Sequence, residues 1–214
     1  MKSILVVGLG RFGKCAAKKL HELGHEVLAV DNVEERVNDA LPYVTDAMIG
    51  DTTSRSFLES LGVSNYDFCL VAIGDNFQNS LETTSLLKEM GAKYVVSRAA
   101  RNVHKKFLLR NGADEVVYPE RQLAEWTAIR YSSDHVFDYI ELDESCAIYE
   151  IEVPDHWVGH TIDEMKIRKN HGLNIVGIRR DGKVNMEVTP DLVFDKEMRI
   201  LLAGNRKNIE KCFK

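Results

Sequence analysis

A glycine-rich turn between an apolar run and an amphipathic segment constrains this chain more than any other feature. The run Ile4–Val7 leads directly into Gly-Leu-Gly-Arg-Phe-Gly at positions 8–13. Helical spacing of apolar residues then extends from Phe12 to Leu23 and stops at Gly24. A strand, a turn of this kind and a helix open the dinucleotide-binding sheets, so the pattern predicts a parallel α/β fold that binds a phosphate-containing ligand.

Each glycine of the turn has a separate predicted role. Gly8 permits the tight turn, Gly10 lets the backbone approach a pyrophosphate, and Gly13 lets the helix pack close to the sheet. The free N–H groups and the positive dipole end at the helix start favour phosphate. Asp31 ends the second strand, 18 residues beyond Gly13, where a carboxylate can hydrogen-bond ribose hydroxyls. A carboxylate there repels a 2′-phosphate, so the pattern favours NAD(H) or an adenosine nucleotide over NADP.

Arg11 indicates which ligand the turn holds. It lies in the first predicted helical turn, where a cation faces the positive dipole end at a cost of about 0.3–1 kcal/mol. An anionic ligand reverses that sign, and a guanidinium can reach a β- or γ-phosphate bidentately. The competing interpretation is a solvated arginine over the sheet edge. Dehydrogenases more often carry a small apolar residue here, so Arg11 favours a nucleotide polyphosphate.

The rest of the first 133 residues repeats the alternation of strand and helix. Further strands are predicted at 27–30, 47–49, 68–73, 94–97 and 115–118. Helices are predicted at 54–61, 79–90, 103–111 and, longer than these, 120–133. This alternation predicts a Rossmann-type doubly wound parallel sheet of the α/β class.

The pattern changes after the long helix. Strands are predicted at 137–142, 148–153, 174–179 and 198–202, with helices at 162–168 and 205–213. Asp181-Gly182 is a hairpin signal. We therefore predict two domains, a nucleotide-binding domain at 1–136 that includes the long helix, and a small α+β domain at 137–214.

Other candidate ligand contacts follow the predicted strands, because open α/β sheets bind ligands at the carboxyl edge. Each has a structural alternative: Asp51 meets an adenine edge or caps the next helix, Arg98 contacts phosphate or ribose or forms a surface ion pair, and Glu120 complements its helix dipole. The complete candidate set for the nucleotide is Gly8, Leu9, Gly10, Arg11, Phe12, Gly13, Asp31, Asn32, Asp51, Thr52, Ala72, Ile73, Gly74 and Arg98.

Composition excludes several classes of protein. The formal net charge is −5, so no broad basic surface favours nucleic acid or anionic lipid. The apolar runs are too short to cross a bilayer, Met1 leads straight into a strand without room for a signal peptide, and the four cysteines lack paired spacing. We therefore expect a cytoplasmic protein with reduced thiols.

The sequence lacks the residue patterns that the enzymatic alternatives would need. A small NAD-dependent oxidoreductase is the main alternative, but the sequence has no Tyr-x-x-x-Lys pair and no cysteine nucleophile beside a base. His156 and His160 lie four residues apart, but Gly159 interrupts any helix that would present them together. A redox-sensing repressor would need a helix-turn-helix, which the sequence does not offer. We therefore expect a protein that is not an enzyme.

Several segments together resemble the RCK (regulator of potassium conductance) family, and within it the regulatory subunits of Ktr- and Trk-type potassium transporters. The resemblance rests on residues 6–13, 24–31, 71–74 and 111–120, and more loosely on 167–168 and 172–179. It implies ATP, ADP or NAD(H) in the Rossmann cleft, and a cytosolic regulatory subunit that controls a membrane-embedded potassium transporter subunit. It also implies a homodimer that assembles into an octameric ring at the inner face of the cell membrane.

The resemblance also implies roles for single residues. Arg11 would meet the terminal phosphates of ATP, Asp31 the ribose, and Arg98 a ribose or phosphate group. Glu120 would help to hold a divalent cation, Mg or Ca, between the nucleotides of neighbouring subunits. The long helix after Glu120 would be the crossover that pairs two subunits.

In some relatives the second domain binds cyclic di-AMP at a two-fold interface. The corresponding stretch of this chain departs from the commoner pattern, because Glu164-Met165-Lys166 replaces a more usual small, polar and apolar run. The candidate residues for that ligand are Ile162, Ile167, Arg168 and His171. The alternative interpretation is that Ile162 and Ile167 are core residues.

Overall fold

The computed structural model describes residues 1–132, 134–143 and 145–213, which divide into two compact units, Met1–Gln122 and Leu123–Lys214. Within these described ranges, no helix has both the length and the apolar character that crossing a bilayer requires.

The first unit alternates strands and helices. Its strands are β1 (Ser3–Val7), β2 (Glu26–Asp31), β3 (Asp46–Ile49), β4 (Phe68–Val71), β5 (Val95–Arg98) and β6 (Glu115–Val117). Its helices are α1 (Arg11–Glu22), α2 (Glu34–Ala40), α3 (Arg55–Ser60), α4 (Phe77–Glu89) and α5 (Asn102–Arg110), and α6 (Pro119–Tyr131) begins here. The strands pair in parallel in the order β3-β2-β1-β4-β5-β6. This confirms the predicted doubly wound sheet, and the strand order reverses between β1 and β4.

Burial on both faces explains the unbroken apolar run of β1. Ile4 and Val6 belong to a core on one face, which includes Ala17 of α1. Leu5 and Val7 belong to a core on the opposite face, which includes residues of α3 and α4. Because successive side chains of a strand point to opposite faces, a central parallel strand must be apolar at every position.

The structure corrects the sequence prediction between β2 and β3, where no helix was expected. The segment forms α2, followed by a 3₁₀ turn at Leu41–Tyr43. Only Val37 and Ala40 of α2 are buried. The helix has seven residues, too few to produce a clear helical period in the sequence.

The second unit is α+β, as predicted. Its strands are β7 (Val136–Glu141), β8 (Cys146–Glu152), β9 (Asn174–Arg180), β10 (Lys183–Asn185) and β11 (Arg199–Asn205), and its short helices are α7 (Ile162–Met165), α8 (Ile167–His171) and α9 (Arg206–Lys211). The strands pair antiparallel in the order β10-β9-β11-β8-β7 over a core that includes Trp157 and Phe194. Asp181 (φ 52°) and Gly182 (φ 75°) form the β9–β10 turn, which confirms the hairpin signal.

The single helix predicted at 162–168 is wrong. Lys166 adopts a left-handed conformation (φ 46°) that separates α7 from α8. The Asn170 side chain donates a hydrogen bond to the Met165 carbonyl, 2.9 Å away, and so satisfies the end of α7. A left-handed residue cannot continue a right-handed helix, so the segment turns at Lys166.

The predicted long helix 120–133 corresponds to α6, which is described as far as Tyr131. Ser133 and Lys214, the last residues of the predicted helix and of the predicted second domain, lie outside the described residues. Because α6 starts in the first compact unit and ends in the second, the predicted domain limits 1–136 and 137–214 stay a prediction.

Candidate functional site

The glycine turn between β1 and α1 is required by the packing of the protein itself. Gly8 has φ +92°, and its N–H donates to the Val30 carbonyl at 2.7 Å. A Cβ on Gly8 would lie 3.0 Å from the Ile73 nitrogen, and a Cβ on Gly13 only 1.8 Å from the Gly8 carbonyl oxygen. The first and third glycines therefore allow α1 to start directly over the β1–β4 junction.

Gly10, the second glycine, faces open space. No described atom lies within 4 Å of a Cβ built on it. Gly10 is the N-cap of α1, whose first turn has no acidic residue and no capping side chain among those described. Arg11 is exposed at the first helical position. The free N–H groups of α1 and the positive end of its dipole therefore meet open space, where an anionic group is stabilised.

Asp31 connects the end of β2 to the glycine turn. Its Oδ2 accepts a hydrogen bond from the Leu9 N–H at 2.6 Å, and its Oδ1 accepts one from the Val33 N–H at 2.9 Å. The residue is 5% exposed, and the following Asn32 is exposed. Asp31 thus holds the turn in position at the strand end where a ribose is bound in sheets of this type.

Sequence reasoning missed Arg36. Its Nη1 lies 3.5 Å from Asp31 Oδ2, and its side chain is 47% exposed. The sequence carried only the start of a signal: Glu34 and Glu35 ahead of Val37 and Ala40 are typical of a first helical turn, but seven residues give no clear period. Such a helix would have brought Arg36 back to the end of β2.

The segment that follows β4 lies beside the glycine turn and has small residues at positions 72 and 74. Ala72 is buried, and its N–H donates to the Val7 carbonyl at 2.7 Å. A Cβ on Gly74 would lie 1.9 Å from Nη1 of Arg98. Ile73 between them is half-buried. The Arg98 guanidinium therefore lies directly on this segment, and a side chain at position 74 would have to displace it.

Arg98 crosses the carboxyl edge from β5. Its guanidinium lies 5.8 Å from the ring centre of Phe12, forms an ion pair with Glu120, and has an Nε that is buried without a hydrogen-bond partner among the described residues. An unpartnered buried N–H is costly unless water or a ligand satisfies it. Arg98 therefore offers a donor at this edge.

Glu120 at the start of α6 is ionised at neutral pH. Its burial acts to raise the pKa, but a hydrogen bond from its own backbone N–H, the hydrogen bond and charge of Arg98, and the charge of Arg11 together hold the pKa of Glu120 below its usual value. Glu120 is 55% exposed, so solvent screens these effects. A half-exposed carboxylate between two arginines can bind a cation only by competing with them.

The two candidate residues after β3, Asp51 and Thr52, have hydrogen-bond partners within the protein. Asp51 accepts hydrogen bonds from the N–H and hydroxyl of Thr53 at 2.9 and 2.7 Å. The Thr53 hydroxyl is the largest cause of the lowered pKa of Asp51. The N-cap of α3 is Ser54, so the alternative that Asp51 caps this helix is wrong. Thr52 is buried, with its hydroxyl 3.0 Å from that of Thr83 on α4.

In the second unit, three of the four candidate residues line one cavity of about 380 Å³: Ile162, Ile167 and Arg168. Ile167 is also 3% exposed and part of the core. His171 does not line this cavity, and its ring centre lies 5.6 Å from that of Trp157.

The histidines of this unit do not form a metal site in the structure. Within the described ranges no three histidine, cysteine or acidic side chains are grouped closely enough to hold a metal. Nδ1 of His160 lies 3.6 Å from a Glu164 carboxylate oxygen, and the His156 ring contacts Trp157.

Comparison with protein families and relatives agrees with a nucleotide-binding first unit followed by a smaller second unit. The TrkA-N domain model matches residues 4–119, and the TrkA-C domain model matches residues 146–214. Ktr system potassium uptake protein C of Bacillus subtilis (strain 168) is 38% identical over 210 residues, covering 98% of this chain and 95% of the relative. Ktr system potassium uptake protein A of the same organism is 35% identical over the same shares of both chains.

Solved structures share the fold at lower identity. A GsuK channel bound to NAD is 19% identical, with a TM-score of 0.71, over 99% of this chain and 38% of the channel chain. GsuK bound to ADP is 19% identical, with a TM-score of 0.52, over 60% of this chain and 34% of the other. This chain thus spans less than half the length of these GsuK chains.

The two domain models match the chain in sequence order, and the relatives align with nearly all of it. Both findings indicate the same family. The chain belongs to the regulator of potassium conductance family, as a TrkA-N domain followed by a TrkA-C domain.

Proposed function

We propose that this chain is the nucleotide-sensing regulatory subunit of a potassium-uptake system and has no catalytic activity of its own. The observation that carries the proposal is the free, cation-flanked N-terminus of α1 above the glycine turn, with Asp31 at one side and Arg98 at the other. Relatives named as Ktr potassium uptake proteins support the transport role, and the GsuK structures with NAD and ADP support a nucleotide ligand.

Arg11 favours ATP or ADP over a dinucleotide. Its charge lies at the positive end of the α1 dipole, a position that only a bound anion makes favourable. The terminal phosphates of ATP carry more charge than a pyrophosphate flanked by two nucleosides. Arg11 would therefore distinguish ATP from AMP and NAD(H).

Glu120 is the proposed ligand of a divalent cation, Mg or Ca. A carboxylate oxygen is the ligand that both ions prefer. Its present partner, Arg98, is also a candidate phosphate donor. When a phosphate takes the guanidinium, the carboxylate becomes available for a cation, so nucleotide and cation would bind cooperatively.

The regulatory role needs partners. We propose that homodimers assemble into an octameric ring on the cytoplasmic side of a membrane-embedded potassium transporter subunit, and that nucleotide exchange biases its gate. The cavity at Ile162, Ile167 and Arg168 would be the second ligand site, for cyclic di-AMP.

The two buried thiols are not candidates for a catalytic nucleophile. Burial raises the pKa of Cys69 to about 12 and that of Cys212 to about 11, so neither is a nucleophile at neutral pH.

The test is calorimetric titration of nucleotide-stripped protein with ATP, ADP, AMP, NADH and cyclic di-AMP. In Arg11→Ala, the loss of a charge-assisted hydrogen bond worth about 1.5–3 kcal/mol should weaken ATP roughly 10- to 100-fold, and AMP far less. Arg55→Ala is the matched control, since Arg55 is an exposed arginine of α3 paired with Glu89. Potassium flux through the reconstituted transporter should then depend on ATP in the wild type and the control.

Three results would contradict the proposal. The first is that the wild type binds no nucleotide. The second is that Arg11→Ala and Arg55→Ala lower the affinity for every nucleotide to the same extent. The third is that potassium flux does not depend on nucleotide. NADH binding with oxidation in the presence of a substrate would instead favour an oxidoreductase.

A further inference from the structure

The ribose end of the cleft carries a cation that the fold places beside Asp31. Nη1 of Arg36 lies 3.5 Å from Asp31 Oδ2. The carboxylate is 4% exposed, whereas the Arg36 side chain is 47% exposed. The guanidinium therefore uses one edge for the buried carboxylate and keeps other donors toward solvent, since an arginine has five N–H groups in a rigid fork.

Asp31 alone would select against a 2′-phosphate by charge repulsion. In the structure, however, its charge is compensated by hydrogen bonds from the Leu9 and Val33 N–H groups and by an ion pair with Arg36. Nucleotide-binding sheets that accept a 2′-phosphate do so with an arginine near the end of the second strand. This chain has the carboxylate and the arginine together.

The acidic neighbours of Arg36 do not cancel its charge. Glu34 and Glu35 precede it on α2, and both are exposed. Residues one and two apart on a helix do not face each other, so neither forms a helical pair with the guanidinium. Asp39, three residues beyond Arg36, does share its face, but its Oδ2 lies 3.0 Å from Lys14 Nζ, which compensates its charge.

We propose that Arg36 forms a subsite for a phosphate group on the 2′ oxygen of the adenosine ribose, so that the cleft accepts 2′-phosphorylated nucleotides as well as unphosphorylated ones. The inference rests on the proposed nucleotide site and adds a ligand class to it. The class includes NADP(H) and adenosine 2′,5′-bisphosphate. The guanidinium contacts the 2′-phosphate bidentately while Asp31 keeps its hold on the glycine turn.

Two probes that differ only in the 2′-phosphate test this subsite: 5′-AMP and adenosine 2′,5′-bisphosphate, titrated by calorimetry into nucleotide-stripped protein. The wild type should bind the bisphosphate within about threefold of AMP, because the gained contact offsets the remaining repulsion. Arg36→Ala should weaken the bisphosphate roughly 10- to 30-fold and AMP less than about threefold. Arg36→Lys keeps the charge but not the fork, so it should lose less than alanine does.

Arg55→Ala serves again as the control for removal of an exposed arginine, and thermal melts by circular dichroism verify that each variant is folded. The proposal is overturned if the wild type rejects the bisphosphate tenfold or more relative to AMP, or if Arg36→Ala weakens both probes equally. Binding of AMP without the bisphosphate overturns this subsite alone. Failure of both probes in the wild type overturns the nucleotide site as well.

Discussion

Gly13→Ala separates what the glycine turn does for the fold from what it does for a ligand. The added Cβ would lie 1.8 Å from the Gly8 carbonyl oxygen and 3.0 Å from the Cβ of Ala72, whereas real Cβ atoms essentially never approach closer than 3.0 Å. Neither obstacle is the end of a flexible side chain. Gly8 is held by a hydrogen bond to Val30, and Ala72 by one to Val7. Helix α1 must therefore shift, and overpacking of this kind costs about 1–3 kcal/mol.

Gly10→Ala is the matched substitution in the same turn. Gly10 has φ −61°, which alanine adopts freely, and no described atom lies within 4 Å of its Cβ. Its cost to stability should stay below about 1 kcal/mol, the difference between glycine and alanine as an N-cap. The methyl group does fill the space over the turn, so we expect AMP to bind at least about tenfold more weakly.

Urea unfolding followed by far-ultraviolet circular dichroism measures the first effect, and AMP calorimetry at a temperature where both variants are folded measures the second. We expect Gly13→Ala to lower the free energy of unfolding by more than Gly10→Ala does. Equal stability of wild type and Gly13→Ala would refute the packing argument. Unchanged AMP affinity in Gly10→Ala would refute the location of the phosphate.

Two further predictions concern stability. Hydrogen bonds and the charge of Lys88, with a hydrogen bond from the Val95 N–H, outweigh burial and lower the pKa of Asp114. A carboxyl with a lowered folded pKa stabilises the fold above its unfolded pKa, near 3.8, and loses that contribution as pH falls through the folded value. Asp114→Asn should therefore be less stable than wild type at pH 6 by up to about 1 kcal/mol, and the difference should shrink as pH is lowered from 3.8 through the folded pKa, in a series of urea titrations. A difference that persists at low pH would contradict the charge mechanism. Lys166→Gly removes the cost of a left-handed non-glycine residue, so the thermal midpoint should stay level or rise, by an amount equivalent to about 1 kcal/mol at most; a clear fall would show that the lysine side chain stabilises the turn.

The sheet of the first unit was predictable because its signals are local and redundant. A strand buried on both faces must be apolar throughout, and the residues of β1 alternate between two cores. Gly8 and Gly13 were predictable for the same reason, since backbone geometry leaves no room for another residue. The strand order, which reverses beside β1, is less predictable, because handedness rules for parallel crossovers narrow the possible orders without selecting one.

The second unit was less predictable because its decisive feature is a single backbone conformation. Ile162 and Ile167 are compatible with one helix, and the sequence between them contains no glycine or proline. The break occurs at Lys166, whose left-handed conformation is accompanied by a hydrogen bond from the Asn170 side chain to the Met165 carbonyl. A lysine carries no intrinsic signal for that conformation, so propensity reasoning extends the helix through it.

The same limit explains why Arg36 was missed. Asp31 was assigned from its place at the end of a strand, a position that the sequence specifies well. Arg36 acquires its position only through α2, whose Val37 and Ala40 pack under the sheet and turn the chain back toward β2. A coil over the same residues would have left the arginine in solvent and Asp31 as the sole charge. With Arg36 as the proposed 2′-phosphate subsite, ligand selectivity there would depend on a seven-residue helix as much as on the glycine motif. A change to Val37 or Ala40 that loosens α2 should then alter discrimination at the 2′ position before it alters binding of AMP.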